Sequence, residues 1–382
     1  MNNLLEDARG RLDGWLSLLE ALVSIDSGPG DHEGVARVYD VVGEMLAELG
    51  FAEQERLPTG GPDVFVARRE AGTLGARRLL LIGHADTVFP AGTVAERPFA
   101  RDGDQVTGPG VADMKAGIVV AIGGLELAGS DVLDRYDITF LLNGDEESGS
   151  YHSRETIEQL APGFDLALVF EPGRPPNLIT TARRGAHRFR IVVHGKAAHT
   201  GVNPQHGANA IEAAAHHVLA IQELGRSIPG ATVNAVIIEG GKRPNIIPDH
   251  CVIRVDSRFD TAAVEKAVVE GVYALAGEGP VPGTTTEVIS LDQRPAFEAA
   301  DAGLEALYGE VASELGFEIR GEKSGGSSDG NFMYRKGVPV LDGLGAVGYG
   351  YHTVDEYVLV DTIAERAATF AGLLHPLGDG TR

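Results

Sequence analysis

Acids and histidines in this sequence collect behind apolar runs. FLLNGDEESGS sets Asp145, Glu146 and Glu147 in a row after an apolar segment, and LLLIGHADTVF sets His84 and Asp86 after another. TGPGVADMKAG holds Asp113 behind a glycine-rich turn, LALVFEPG ends in Glu171, and GAVGYGYHTVDEYV carries His352. Each has an ordinary reading by itself. An HxD pair is usually a histidine bonded to a nearby acid, an Asp before a helix suits an N-cap, and a loop histidine is usually solvated. Together they raise a different chemistry. Several carboxylates in a dry cleft repel one another unless a cation neutralises them. Imidazole with carboxylate is a ligand set for zinc, and five or more such ligands suit two ions rather than one. Two metals side by side form a hydrolytic clamp. Residues two apart in an extended segment face the same side, so Asp86 can stand behind His84 and fix its tautomer.

An α/β fold would bring these residues together. RRLLLIG (77–83), DITFLLN (137–143), DLALVF (165–170) and GVPVLDG (337–343) have the apolar density of buried strands. Helices are expected over 4–23, where Leu12, Leu16, Leu19 and Val23 keep helical spacing, over 35–49, and over 115–128. This alternation predicts a mostly parallel sheet, and ligands of such sheets gather beyond the carboxyl ends of the strands. That edge would carry His84, Asp113, Glu146, Glu147, Glu171 and His352. From about Arg183 the texture changes, because GAHRFRIVVHG alternates polar and apolar residues. Next come a helix over 208–224, strands ATVNAVIIEGG and DHCVIRVDSRF, a helix over 261–276 and a strand TTTEVISLD. That order, βαββαβ, is ferredoxin-like. The expected organisation is an α/β domain of residues 1–182 and 295–382, with a ferredoxin-like domain of residues 183–294 inserted into it.

Composition bounds the partners. The chain has 382 residues, 43% of them hydrophobic, and a formal charge of −23. Such acidity disfavours nucleic acid and an anionic membrane surface, both of which need basic patches. The single cysteine, Cys251, allows no internal disulfide and reads as a small buried hydrophobe. The N-terminal stretch has early acids and no basic segment leading an apolar one, and no run approaches a membrane span. A cytoplasmic protein is expected. SGGSSDG lacks the lysine and preceding strand of a phosphate loop, and no GxGxxG follows a strand.

GHADTVFPAGT, GPGVADMKAG, GDEESGS, FEPG, HGKAAHTG, NIIPD and GYHTVDEY succeed one another across nearly the whole chain. By these segments the sequence resembles the zinc-dependent exopeptidase family that contains glutamate carboxypeptidase of the carboxypeptidase G type. Acetylornithine deacetylase, succinyl-diaminopimelate desuccinylase and the aminoacylases belong to it too. The resemblance implies a di-zinc domain with an inserted lid and dimerisation domain, and two zinc ions per subunit, with cobalt or manganese able to take the same ligands. It implies that Asp113 bridges both ions, that His84 and Glu171 complete one site, and that Glu147 and His352 complete the other. Asp86 would orient His84, and Glu146 would be the general base, near the metals but not bound to them. His199 of HGKAAHTG would donate to the oxyanion, in its own subunit or across a homodimer.

Arg258, Asn245 and the backbone around Gly326 match segments that hold a substrate's α-carboxylate. Arg294 matches a second arginine near an acidic side chain, or else is a surface residue at the domain boundary. His187 is expected on a strand surface. The implied reaction is hydrolysis of an amide beside a free C-terminal amino acid, glutamate foremost. An N-acyl-amino-acid amidohydrolase or a dipeptidase is the alternative, and a non-catalytic zinc or amino-acid binding protein a remoter one. PGRPPNLITTARRG, short and proline-rich, departs from the glutamate-releasing pattern in a region that can line the cleft.

Overall fold

A computed structural model describes residues 3–73 and 75–378. They form two compact units. The first holds the described residues up to Ala182, then Ala299–Ser324, then those from Ser328 onward; the second is Arg183–Glu298 with Gly325–Ser327. Within the second unit, Arg183 and Phe297 exchange backbone hydrogen bonds of 2.7 and 3.0 Å.

The first unit is built on a six-stranded sheet in the order Glu53–Leu57, Val64–Arg69, Tyr136–Asn143, Arg77–His84, Leu166–Val169, Val340–Leu341. The last four strands run parallel and are almost wholly buried, as their unbroken apolar runs require. The first two are antiparallel additions. EQERL is too polar to read as a strand from sequence, and it serves as a partly exposed edge. GVPVLDG contributes only the two-residue strand Val340–Leu341. Register sets where the strands end. His84 lies opposite Asn143, and Val169 lies opposite Ile82, so the three central strands end level with one another. The residues after each strand therefore leave the sheet side by side.

Helix Leu4–Val23 buries Leu16, Leu19 and Val23 of the stripe its spacing predicts, with Leu12 half-buried, and buries Trp15 beside them. Helix Ala116–Ala128 is buried on nearly every side. A Cβ at Gly117 would lie 1.9 Å from the Phe170 carbonyl oxygen, so only glycine lets this helix start so close to the strand end that carries Glu171.

The second unit has a five-stranded antiparallel sheet in the order Ala231–Gly240, His250–Phe259, Gly185–His194, Thr285–Arg294, Gly277–Glu278. Its long strands and the helices Ala210–Ser227 and Ala262–Tyr273 give the βαββαβ order and ferredoxin-like pairing. Phe189, Ile191 and Val193 on one strand and Cys251, Ile253 and Val255 on its neighbour form the core with residues of both helices. Side-chain caps start the helices, Asn209 accepting from Ile211 and Glu212 and Thr261 from Val264. Among the described residues, no helix is long and apolar enough to cross a membrane.

Candidate metal centre

Three acids in a row at a strand end divide their work. Asp145, 3% exposed, accepts from the backbone N–H groups of His152 (2.6 Å) and Ser153 (3.3 Å) and so folds its own loop. Asp86 faces the next two. One of its carboxylate oxygens accepts from Glu146 N at 3.1 Å and the other from Glu147 N at 2.9 Å. His84 Nδ1 meets the Asp86 main-chain carbonyl at 3.0 Å and its carboxylate at 3.4 Å. Sequence reasoning gave Asp86 only the imidazole. In the structure its carboxylate chiefly holds the Glu146–Glu147 backbone, while its carbonyl sets the His84 tautomer so that Nε2 points the other way.

Asp113 lies in the irregular turn Val111–Lys115, and Lys115, not Asp113, occupies the cap of the following helix. Its carboxylate is therefore available for something else. His84 Nε2 stands 3.3 Å from Asp113 Oδ1 and 3.9 Å from Glu171 Oε1. His352 Nε2 stands 3.2 Å from Asp113 Oδ2 and 3.0 Å from Glu147 Oε2. Each oxygen of one carboxylate thus serves a different histidine. His352 holds φ +63°, a left-handed conformation uncommon outside glycine, which the surrounding loop must enforce. Ligand atoms of His84, Glu146 and Glu171 lie within 4.8 Å of one another, as do those of His84, Asp113 and Glu147.

The electrostatics favour cations here. Burial pushes Asp113 up, yet hydrogen bonds from His352 and His84 outweigh it and hold its carboxyl well below the usual range. Glu147 is pushed up to about 7 by burial, against the hydrogen bond from His352 and with the charge of Asp113. His352 is raised to about 10 by its hydrogen bonds to Asp113 and Glu147. Burial pulls His84 down, but its bonds to Asp113 and Asp86 carry it well above the ordinary value. The carboxylates draw positive charge to this spot, a demand that two dications meet.

The donor set fits zinc on two further counts. Glu147 Oε1 is buried without a hydrogen-bond partner among the described residues. The histidine–carboxylate separations of 3.0 to 3.9 Å bracket the edge of about 3.3–3.5 Å expected for a tetrahedron of nitrogen and oxygen ligands at zinc bond lengths.

The other predicted residues lie in the second unit. His199 is exposed in the short strand Ala198–His199, and its Nδ1 accepts from Gly201 N at 3.1 Å. In the neutral ring the proton then sits on Nε2, which becomes the donor. Arg258 forks onto Asp256, with Nε at 3.0 Å and Nη2 at 3.2 Å. Asn245 is exposed, and its carbonyl accepts from Thr200 N at 3.1 Å. Gly326 belongs to the short segment Gly325–Ser327 of that unit. Arg294 is 8% exposed, so of its two readings the surface one falls. One expectation is corrected. His187 is 5% exposed rather than on a strand surface; it sits 2.7 Å from Ser290 Oγ and stacks on Phe189.

Two residues of the first unit escaped the sequence reading. Lys115 is buried, donates to the Ile25 carbonyl at 2.9 Å, and is pushed down to about 7 by burial. Glu356, 1% exposed, accepts from Gly110 N and Ala112 N at 2.9 Å and from Asp113 N at 3.0 Å. An acid four residues beyond a loop histidine carries no periodic signal that separates it from a solvated one.

The model of peptidase family M20/M25/M40 matches residues 80–375. Carboxypeptidase G2 of Pseudomonas sp. (strain RS-16) is 32% identical over 99% of this chain and 93% of its own length. A succinyl-diaminopimelate desuccinylase of Acidovorax ebreus (strain TPSY) is 31% identical over 91% of this chain and 94% of its own. Among solved structures, aminopeptidase PepT from Bacillus cereus superposes with a TM-score of 0.77 at 23% identity, covering 95% of this chain and 98% of its own, a likeness of fold.

Proposed function

The chain belongs to peptidase family M20/M25/M40 and is a zinc-dependent hydrolase, and from that premise we propose that it cleaves the amide bond beside a free C-terminal amino acid, glutamate foremost. The observation that carries the reading is Asp113, whose two oxygens face His84 and His352 separately, as a carboxylate shared between two ions would. His84, Asp113 and Glu171 would hold one zinc and His352, Asp113 and Glu147 the other. When bound, the ions supply Lewis acidity and make water acidic near neutral pH.

Glu146 is the proton carrier. Its backbone is fixed by Asp86, and its carboxylate stands within 4.8 Å of ligand atoms of His84 and Glu171. It accepts a proton from water as the C–O bond forms, then passes it to the amine as the C–N bond breaks. On this reading His199 supplies the Nε2–H that meets the oxyanion. Arg258, Asn245 and the backbone at Gly326 take the α-carboxylate, and Arg294 the acidic side chain, on the strength of their motifs.

A release assay on zinc-loaded protein tests the substrate, with N-acyl and dipeptide compounds ending in Glu, Asp, Ala, Leu, Arg or Gly. Glutamate is expected to leave fastest, and Arg294→Gln to erase that preference by roughly tenfold or more in kcat/KM. Faster turnover of apolar or simply acetylated substrates would instead make the protein an N-acyl-amino-acid amidohydrolase.

The reading includes a homodimer through the second unit. Ala231–Gly240 is the edge strand of its sheet, and Val236, Ile237 and Ile238 on it are 56%, 47% and 51% exposed. An apolar edge with unpaired backbone groups is a template for strand pairing, and a second copy of the chain satisfies it by two-fold symmetry. Light scattering on the eluting protein is expected to give twice the chain mass, and Ile237→Lys to shift it toward the monomer. A wild-type monomer at micromolar concentration would remove the dimer from the reading.

A further inference from the structure

Glu356 holds together two parts of the metal centre that are far apart in sequence. It comes four residues after His352, just ahead of the strand Tyr357–Leu359. Its Oε2 takes Gly110 N, and its Oε1 takes both Ala112 N and Asp113 N. These N–H groups belong to the turn that presents Asp113, in which Gly108 and Gly110 hold φ +149° and +70°. A turn of that shape cannot satisfy its donors by a helical or strand ladder, and a buried donor without a partner is costly. One carboxylate answers all three. Because the chain between His352 and Glu356 is short, the same bonds fix where His352 stands relative to Asp113.

We propose that Glu356 is a positioning residue that sets the spacing between Asp113 and His352, and thereby the affinity of the zinc site formed by Asp113, Glu147 and His352. The inference rests on the two-zinc reading above. His84 and Glu171 stand 3.9 Å apart at the strand ends, without Glu356, and share only Asp113 with the other site, so their site depends on it less. Loss of outer partners of metal ligands typically costs 10- to 100-fold in metal affinity. A residue that merely glued the fold would weaken both sites alike, or neither.

The test is stepwise zinc titration by calorimetry on metal-stripped protein, with the visible spectrum of the cobalt-loaded form as a reporter of coordination and the melting temperature as a check of folding. Glu356→Gln keeps the shape but turns one acceptor into a donor. It is expected to weaken the second zinc by about tenfold or more, to leave the first within about threefold, and to alter the cobalt spectrum. Glu356→Asp keeps the charge but falls short of the three N–H groups, and is expected to behave likewise; it decides the matter if the glutamine variant does not fold. In a His352→Ala background, which removes the dependent site, Glu356→Gln is expected to change the remaining affinity by less than about threefold. Wild-type affinity at both sites in a folded variant overturns the inference, as does an equal loss at both. Wild-type protein that takes up fewer than two zinc ions overturns the two-zinc reading instead, so the two failures are distinct.

Discussion

Glu146→Gln is expected to lower kcat by about 10³-fold while the protein still takes up both zinc ions and melts within a few degrees of the wild type. The reasoning is geometric. The backbone of Glu146 is held by Asp86, so the amide occupies the same place as the carboxylate it replaces. It can neither accept the proton released as water attacks nor return it to the leaving amine, and both steps lose their carrier. His84, Asp113, Glu147, Glu171 and His352 are untouched, so metal uptake is retained. Steady-state kinetics beside metal analysis separates the outcomes. Turnover within tenfold of wild type would take the proton-carrier role away from Glu146. Loss of zinc together with activity would make it a ligand.

Asp113→Asn is expected to do more, because it acts on both metals at once. An asparagine presents one oxygen and one NH₂, so it can serve the His84 side or the His352 side but not both. Zinc content should fall from two per chain to one or less, and kcat/KM by at least about 10³-fold, since a two-metal clamp is reduced to half. Stability supplies a second readout. Zinc at 100 times its dissociation constant stabilises a one-site protein by about 2.7 kcal/mol. The wild type should therefore show a clear zinc-dependent rise in melting temperature, and the variant a smaller one. A variant that retains two zinc ions and the full shift would show that each histidine finds its metal without a shared carboxylate, and the bridging assignment would fall.

The short-range features of this protein are written in its sequence. Apolar spacing alone marks helix Leu4–Val23, and alternation marks the strands of the ferredoxin-like unit. Acids that end buried strands announce a charge to be neutralised, because a carboxylate beside FLLN or LALVF has no other way to stay near the core. The family resemblance assigns roles to those acids through local motifs, which lie within a few residues of each other.

Tertiary structure decided what depends on register and on contacts between distant segments. Nothing within GDEESGS shows that Asp145 folds its own loop, or that Asp86 some 60 residues earlier grips the backbone of Glu146 and Glu147. The polar strand Glu53–Leu57 exists because Val64–Arg69 offers it an edge, not because of its own residues. His187 reads as a strand-surface residue, yet it stacks on Phe189 and is buried. Glu356 is invisible in sequence for the same reason, since its three donors lie more than 240 residues away. The sequence by itself determines which side chains can do chemistry, through residue type and local period. Only the pairing of strands His84↔Asn143 and Ile82↔Val169 brings their ends level and turns those side chains into one site.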